Sequence, residues 1–224
     1  MDNPSRSERS RSAALEAAIT IVSRDGPGRL TLDAIARECG LSKGGVMHQF
    51  RTKEAVLKAL LEQQMAYFEE FSERFLAKAR DTTDQPELAA QIVTLREAIK
   101  TPRAGAFALL AAMSENPELM AMPRNADAKK VAAIKAEARD PELALLRRAA
   151  ARGLLLDSMF GLSLLSDAER DRLFERLLDD DKWRAIEQGG KASEKSTGKA
   201  AAKPAASKPA GARRAKSSAA RKGA

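Results

Sequence analysis

The chain has 224 residues, 44% hydrophobic and only 4% aromatic, with 39 Lys+Arg against 31 Asp+Glu. One Cys excludes an intrachain disulfide, and one Cys with one His leaves a zinc site short of ligands, so neither metal nor cofactor is expected. Ala, Leu, Glu, Lys and Arg dominate while β-branched and aromatic residues are sparse, which predicts an all-α fold.

The first amphipathic helix is predicted over 11–24, with Leu15, Ala18, Ile19 and Val22 inward. Asp25-Gly26-Pro27-Gly28 stops it. Thr31 caps a short helix that buries Leu32, Ile35 and Ala36. Cys39-Gly40-Leu41 makes a tight turn, with Cys39 a small turn residue and Gly40 free to take a positive φ. Ser42 caps a second short helix to about Gln49. Thr52 caps a long one, whose Leu57, Leu61, Met65, Phe68, Phe71 and Phe75 form an apolar stripe.

Prolines then punctuate helices expected near 86–100, 104–114, 124–138 and 141–165. Ser166 and Glu169 form a capping box for another at 167–179, and a short piece reaches Gln188. Asp157 interrupts an apolar run in the 141–165 helix. It is expected to be partly buried, paired with Arg148 or Arg152, or else to meet a cationic ligand. Asp179-Asp180-Asp181 reads as a helix end with solvated charge, and Trp183 as packing the last helix onto the body.

Charge is unevenly placed. Residues 189–224 carry 10 basic residues and one acid, Glu194, with no large apolar side chain; the rest holds 29 basic and 30 acidic residues. This Lys/Ala/Pro-rich tail is expected to be disordered. Within the body, residues 1–53 are net basic and residues 54–188 net acidic. The stretch Ala104 to Met113 is too short to span a membrane, which takes about 18 residues, and Met1-Asp2-Asn3-Pro4 lacks a secretion pattern. No membrane partner is expected, and a cytoplasmic, nucleoid-associated location is.

Two short helices joined at a glycine turn and preceded by a third form a tri-helical helix-turn-helix. The second short helix must enter the major groove with small or polar side chains outward. Ser42, Lys43, Gly44, Gly45 and His48 are assigned outward, Val46 and Phe50 inward. Lys43 reads guanine or binds phosphate. Thr31, Ser42 and Thr52 open helices whose free N–H groups suit phosphates, and Lys53 stands in the first turn of the long helix. Two glycines in a row leave the recognition helix marginally stable.

The run TLDAIARECGLSKGGVMHQFRTKEAVLKAL, residues 31–60, resembles the DNA-binding domain of the TetR family of transcriptional regulators. The match lies in Ile35-Ala36, Gly40, Ser42-Lys43-Gly44, Phe50 and Thr52-Lys53-Glu54-Ala55. Met47 stands where the family usually has an aromatic phosphate contact, with His48 beside it; Gly45 replaces a frequent Thr. The resemblance implies three parts: a DNA-binding domain over 1–53, a helical ligand-binding and dimerisation domain over 54–188, and the tail over 189–224. It implies a homodimer on a double-stranded palindromic operator, released by a small, largely apolar effector. Met65, Phe68, Phe107, Met113 and Asp157 are the candidate effector contacts, although the Met/Phe stripe also reads as plain core.

An enzyme is not expected. A Ser or Cys nucleophile needs a base, and the one His lies in the recognition helix. An architectural protein binding DNA through its tail is the alternative, distinguished by its blindness to sequence.

Overall fold

A computed structural model describes residues 5–100 and 116–186. The expected 104–114 helix, with Phe107 and Met113, and the 189–224 tail lie outside the described residues. Among the described residues every regular element is helical. They are α1 (Arg6–Asp25), α2 (Leu32–Cys39), α3 (Lys43–Gln49), α4 (Lys53–Ala79), α5 (Pro86–Ala98), α6 (Ala121–Glu137), α7 (Pro141–Phe160) and α8 (Asp167–Leu178). Short 3-10 turns at Pro27–Arg29 and Pro117–Met120 connect them, and a further helical stretch covers 180–186.

α1 starts five residues earlier than its apolar period indicates, because Ser5 and Glu8 form a capping box ahead of the first inward residue. Its buried face is Ala14, Leu15, Ala17, Ala18, Ile21 and Val22. Ile19, expected inward, is exposed. The caps at Thr31, Ser42 and Thr52 form as read: each hydroxyl accepts the backbone N–H three residues on, at 3.0, 3.0 and 3.1 Å. Gly40 turns the chain at φ 69°, in the left-handed region.

Two apolar clusters result. The first joins Leu15, Ile21, Leu30, Ile35, Val46, Phe50, Val56, Leu57 and Leu61, with Leu119 added from far along the chain. The second joins Leu88 and Ile92 of α5, Ile134 of α6, Ala144 and Ala151 of α7, and Phe174 and Leu177 of α8. Cys39 is half-buried at the edge of the first cluster.

α7 ends at Phe160, not near 165, because Gly161 adopts φ 66° and donates its N–H to the helix end. Leu162 and Ser163 likewise donate to the Asp157 carbonyl, at 2.9 and 3.2 Å. Asp157 is itself exposed, contrary to expectation. Arg148 and Arg152 turn instead to Asp127 of α6. The buried charge on α7 is Arg147, only 2% exposed. It donates to the Leu177 carbonyl at 3.0 and 2.7 Å, to Gln85 at 3.2 Å and to Asp180 at 2.7 Å, and lies 5.5 Å from the Trp183 ring. Asp180 is therefore a structural counter-ion rather than a solvated charge. Trp183 does pack on the body, donating to the Arg176 carbonyl at 2.8 Å. The capping box of Ser166 and Glu169 opens α8.

Candidate nucleic-acid interface

The recognition element is held from behind. Val46 is fully buried and Phe50 nearly so, which fixes the seven-residue α3 against α1 and α2. Burial of those two side chains stabilises the short helix where its own propensity does not. The opposite face then points to solvent. Ser42, Lys43, Gly44, Met47 and His48 are exposed, as are Thr31 and Thr52 at the two flanking caps. Gly45 and Lys53 are half-buried. The predicted DNA-facing residues thus gather around one helix and the two starts beside it.

The two glycines of α3 differ. A Cβ on Gly44 would meet nothing within 4 Å, whereas one on Gly45 would lie 3.3 Å from the Ser42 hydroxyl that caps the helix. Gly45 therefore protects the cap, and Gly44 leaves the outer face flat for close approach.

Electrostatics add two features that the sequence reading missed. Lys43 Nζ sits 3.1 Å from the Asp33 carboxylate on α2, an exposed pair that contributes little to stability. The N-terminal turns of α1 also reach this face. Gln49, the last residue of α3, donates to Ser7 at 3.0 Å, and Arg11 lies 4.6 Å over the Phe50 ring. Arg6 and Arg9 are exposed on the same turns. The Ser5-x-x-Glu8 pattern was the signal that would have placed these arginines on a helix.

Arg24 holds the far side of the unit together. Glu38 of α2 and Asp25 both accept from it and raise its pKa above the ordinary value. At the start of α4 the backbone N–H of Glu54 itself and then the Thr52 hydroxyl hold the Glu54 carboxyl below its usual range, so that end carries a full negative charge beside Lys53.

The candidate effector contacts are less gathered. Met65 packs against the first cluster, half-buried. Phe68 is half-buried on α4, edge-on to Tyr67 at 5.2 Å between ring centroids. Asp157 stands exposed at the end of α7, and Phe107 and Met113 lie outside the described residues.

The model of the family described as bacterial regulatory proteins, tetR family, matches residues 14–60, and the tetracyclin repressor-like C-terminal domain matches residues 85–180. The chain belongs to the TetR family. It is 29% identical over 130 residues to the HTH-type transcriptional regulator UidR of Escherichia coli K12, a match over 56% of this chain and 63% of that relative. It thus spans less than two thirds of the curated relative it matches. Two solved structures share its fold. The multidrug binding protein EbrR complexed with malachite green is 24% identical, with TM-score 0.57, covering 78% of this chain and 97% of the other. Salmonella enterica GusR is 19% identical, with TM-score 0.52, covering 79% and 97%.

Among the described residues no helix is long and apolar enough to cross a membrane.

Proposed function

We propose that this TetR-family protein is a DNA-binding transcriptional repressor that acts as a homodimer and leaves a palindromic operator when a small molecule binds its C-terminal part. On this reading residues 1–53 contact DNA, residues 54–188 dimerise and take the effector, and the 189–224 tail adds sequence-blind attraction to phosphates. The observation that carries it is the α2–Gly40–α3 unit. Val46 and Phe50 lock the helix from behind, and Lys43, Gly44 and His48 are exposed on its outer face.

Support for a dimer comes from the outer face of α7 and from α8. Leu146, Leu156, Phe160 and Leu173 are exposed there. Leu154, on the same helix, instead packs into the second cluster. Leu146→Glu is therefore the clean disruption: it is expected to give monomers by sedimentation with a large loss of operator affinity, and an unchanged dimer would remove α7 from the interface. A small-molecule effector is supported by the likeness to EbrR, whose structure holds malachite green. The long α4 carries the message, since it begins at Lys53 beside the recognition helix and runs to Ala79. A coupling of about 1–3 kcal/mol between the two sites suffices.

Selection of bound duplexes from a random pool tests the reading. The full chain is expected to enrich a palindrome whose half-sites lie about 34–36 Å apart. Lys43→Ala then lowers affinity for that sequence by about 1–3 kcal/mol, well beyond its effect on random DNA. Lys53→Ala, at a phosphate position, weakens both alike. Binding without any enriched sequence would overturn the repressor and leave an architectural protein acting through its tail.

A further inference from the structure

Two buried side-chain polar atoms among the described residues have no hydrogen-bond partner: Arg148 Nε and Ser158 Oγ. Both belong to α7, and both lie on its inward half, opposite the exposed Leu146 and Phe160. The Arg148 side chain is only 11% exposed. One of its Nη groups donates to Asp127 of α6, and Arg152 reaches the same carboxylate at 3.4 Å. Two guanidinium groups therefore share one carboxylate, the Arg148 group nearly buried and the Arg152 group exposed. Lys130 does not alter that balance, because Glu69 of α4 pairs with it at 2.9 Å.

A buried donor without an acceptor is uncommon in a native structure and destabilises it, more so when the donor is charged. Here the missing group has a defined chemistry. It must accept a hydrogen bond from Nε, and a negative acceptor suits a guanidinium whose one carboxylate is shared with Arg152. A guanidinium offers Nε–H and Nη–H in one plane, a spacing that fits the two oxygens of a carboxylate. Along α7 from Arg148 towards Ser158 the inward face carries Ala151 and Leu155, which are apolar. The rise from Arg148 to Ser158 is roughly 15 Å, ten residues of helix.

We propose that Arg148 anchors the negatively charged group of the effector, so that the effector is an organic acid, a carboxylate on an apolar body, rather than a neutral apolar molecule. This rests on the effector-responsive reading above. Asp127 is the internal competitor: it holds one Nη of the Arg148 fork, and an incoming carboxylate must share or displace it to reach the buried Nε.

The test is a thermal-shift titration of the full chain with octanoate, benzoate, phenylacetate and 1-naphthoate, each beside its own primary amide. At least one acid is expected to raise Tm and to bind about tenfold or more tighter than its amide. Arg148→Met is expected to abolish that preference, and Asp127→Asn to increase affinity for the acid by removing the competing anion. Those opposite signs separate an anchor from a merely structural ion pair, whose loss from either side would weaken binding alike. If Arg148→Met does not fold, as read by far-UV circular dichroism, Asp127→Asn decides alone. No acid outdoing its amide, a preference intact in Arg148→Met, or weaker binding in Asp127→Asn would each overturn the proposal. Duplex selection on the same preparation reports on DNA binding separately, so a selected palindrome with no acid preference overturns only the effector class.

Discussion

Every buried side chain from Ala14 to Leu61 is apolar, while the six buried polar residues found among the described residues, Ser72, Gln85, Gln91, Thr94, Arg147 and Ser158, all lie beyond Leu61. The N-terminal unit is aliphatic inside and keeps its charges on the rim. Its helices are fixed by caps that act over three residues. The C-terminal region buries a guanidinium and satisfies it with partners 30, 33 and 62 residues away. A unit that must present one helix accurately is held by local signals and a dry core. On the proposed reading the C-terminal region exists in two states, and its polar groups lie at its seams, where packing alone would leave less room for a second arrangement.

Removing the buried charge is the strongest way to break that contrast. Arg147→Met leaves Asp180 with only the Thr83 hydroxyl, the Leu177 carbonyl without its guanidinium donor, and Gln85 without its guanidinium. Loss of one side of a buried pair destabilises by about 3–5 kcal/mol. Urea denaturation should show that loss, and proteolysis should place it in residues beyond 80 while the N-terminal unit stays protected. A change below about 1 kcal/mol would mean that the network is dispensable, and the two regions would then differ in composition only.

This contrast also explains what was legible. Thr31, Ser42, Thr52 and the Ser166–Glu169 pair were readable because a cap is a short-range pattern with one meaning. The same pattern at Ser5 and Glu8 carries less signal because it precedes the apolar period rather than opening it. The recognition face was legible for the same reason, since Val46 and Phe50 fix which side is out. Arg147 was not. Three arginines stand close together on α7, and no local rule says which one turns inward when its partners lie on α8 and before α5. The end of α7 was misread because Leu162, Leu164 and Leu165 extend the apolar pattern past Gly161, whose φ of 66° stops the helix.

Two glycine substitutions sharpen the account of the N-terminal unit. Gly40→Ala meets no atom within 4 Å, so its whole penalty is the left-handed backbone, about 1–2 kcal/mol. Gly44→Ala meets nothing either, but at a helical position, and should stabilise by up to about 1 kcal/mol. Gly45→Ala should gain less, because its Cβ crowds the Ser42 cap at 3.3 Å. Chemical denaturation of the three variants reads the order directly. Equal gains at 44 and 45 would show that the cap yields. If Gly44→Ala is more stable yet binds selected DNA more weakly, the glycine serves close approach to the bases.

The smallest expected effect is a pH dependence in the C-terminal region. Glu137, the last residue of α6, accepts the Glu87 and Leu88 backbone N–H groups at 2.9 and 2.8 Å, and so ties α6 to the first turn of α5. Burial pushes its carboxyl above the ordinary value of 4.5, and the two N–H bonds pull it back only in part. The folded state thus holds this proton more tightly than the unfolded chain does. The stability that this group contributes is fully present below pH 4.5 and falls as pH rises through the raised folded value. Glu137→Gln keeps an oxygen for one of the two amides and removes the titration. All the other carboxylates are common to both proteins, so the difference in unfolding free energy between wild type and Glu137→Gln isolates the one group. That difference should decline from pH 4 to pH 7 by the proton-linkage relation. A difference that rose over the same interval would mean that the two backbone donors outweigh burial, and that the carboxylate, rather than the acid, is the form the fold prefers at this joint.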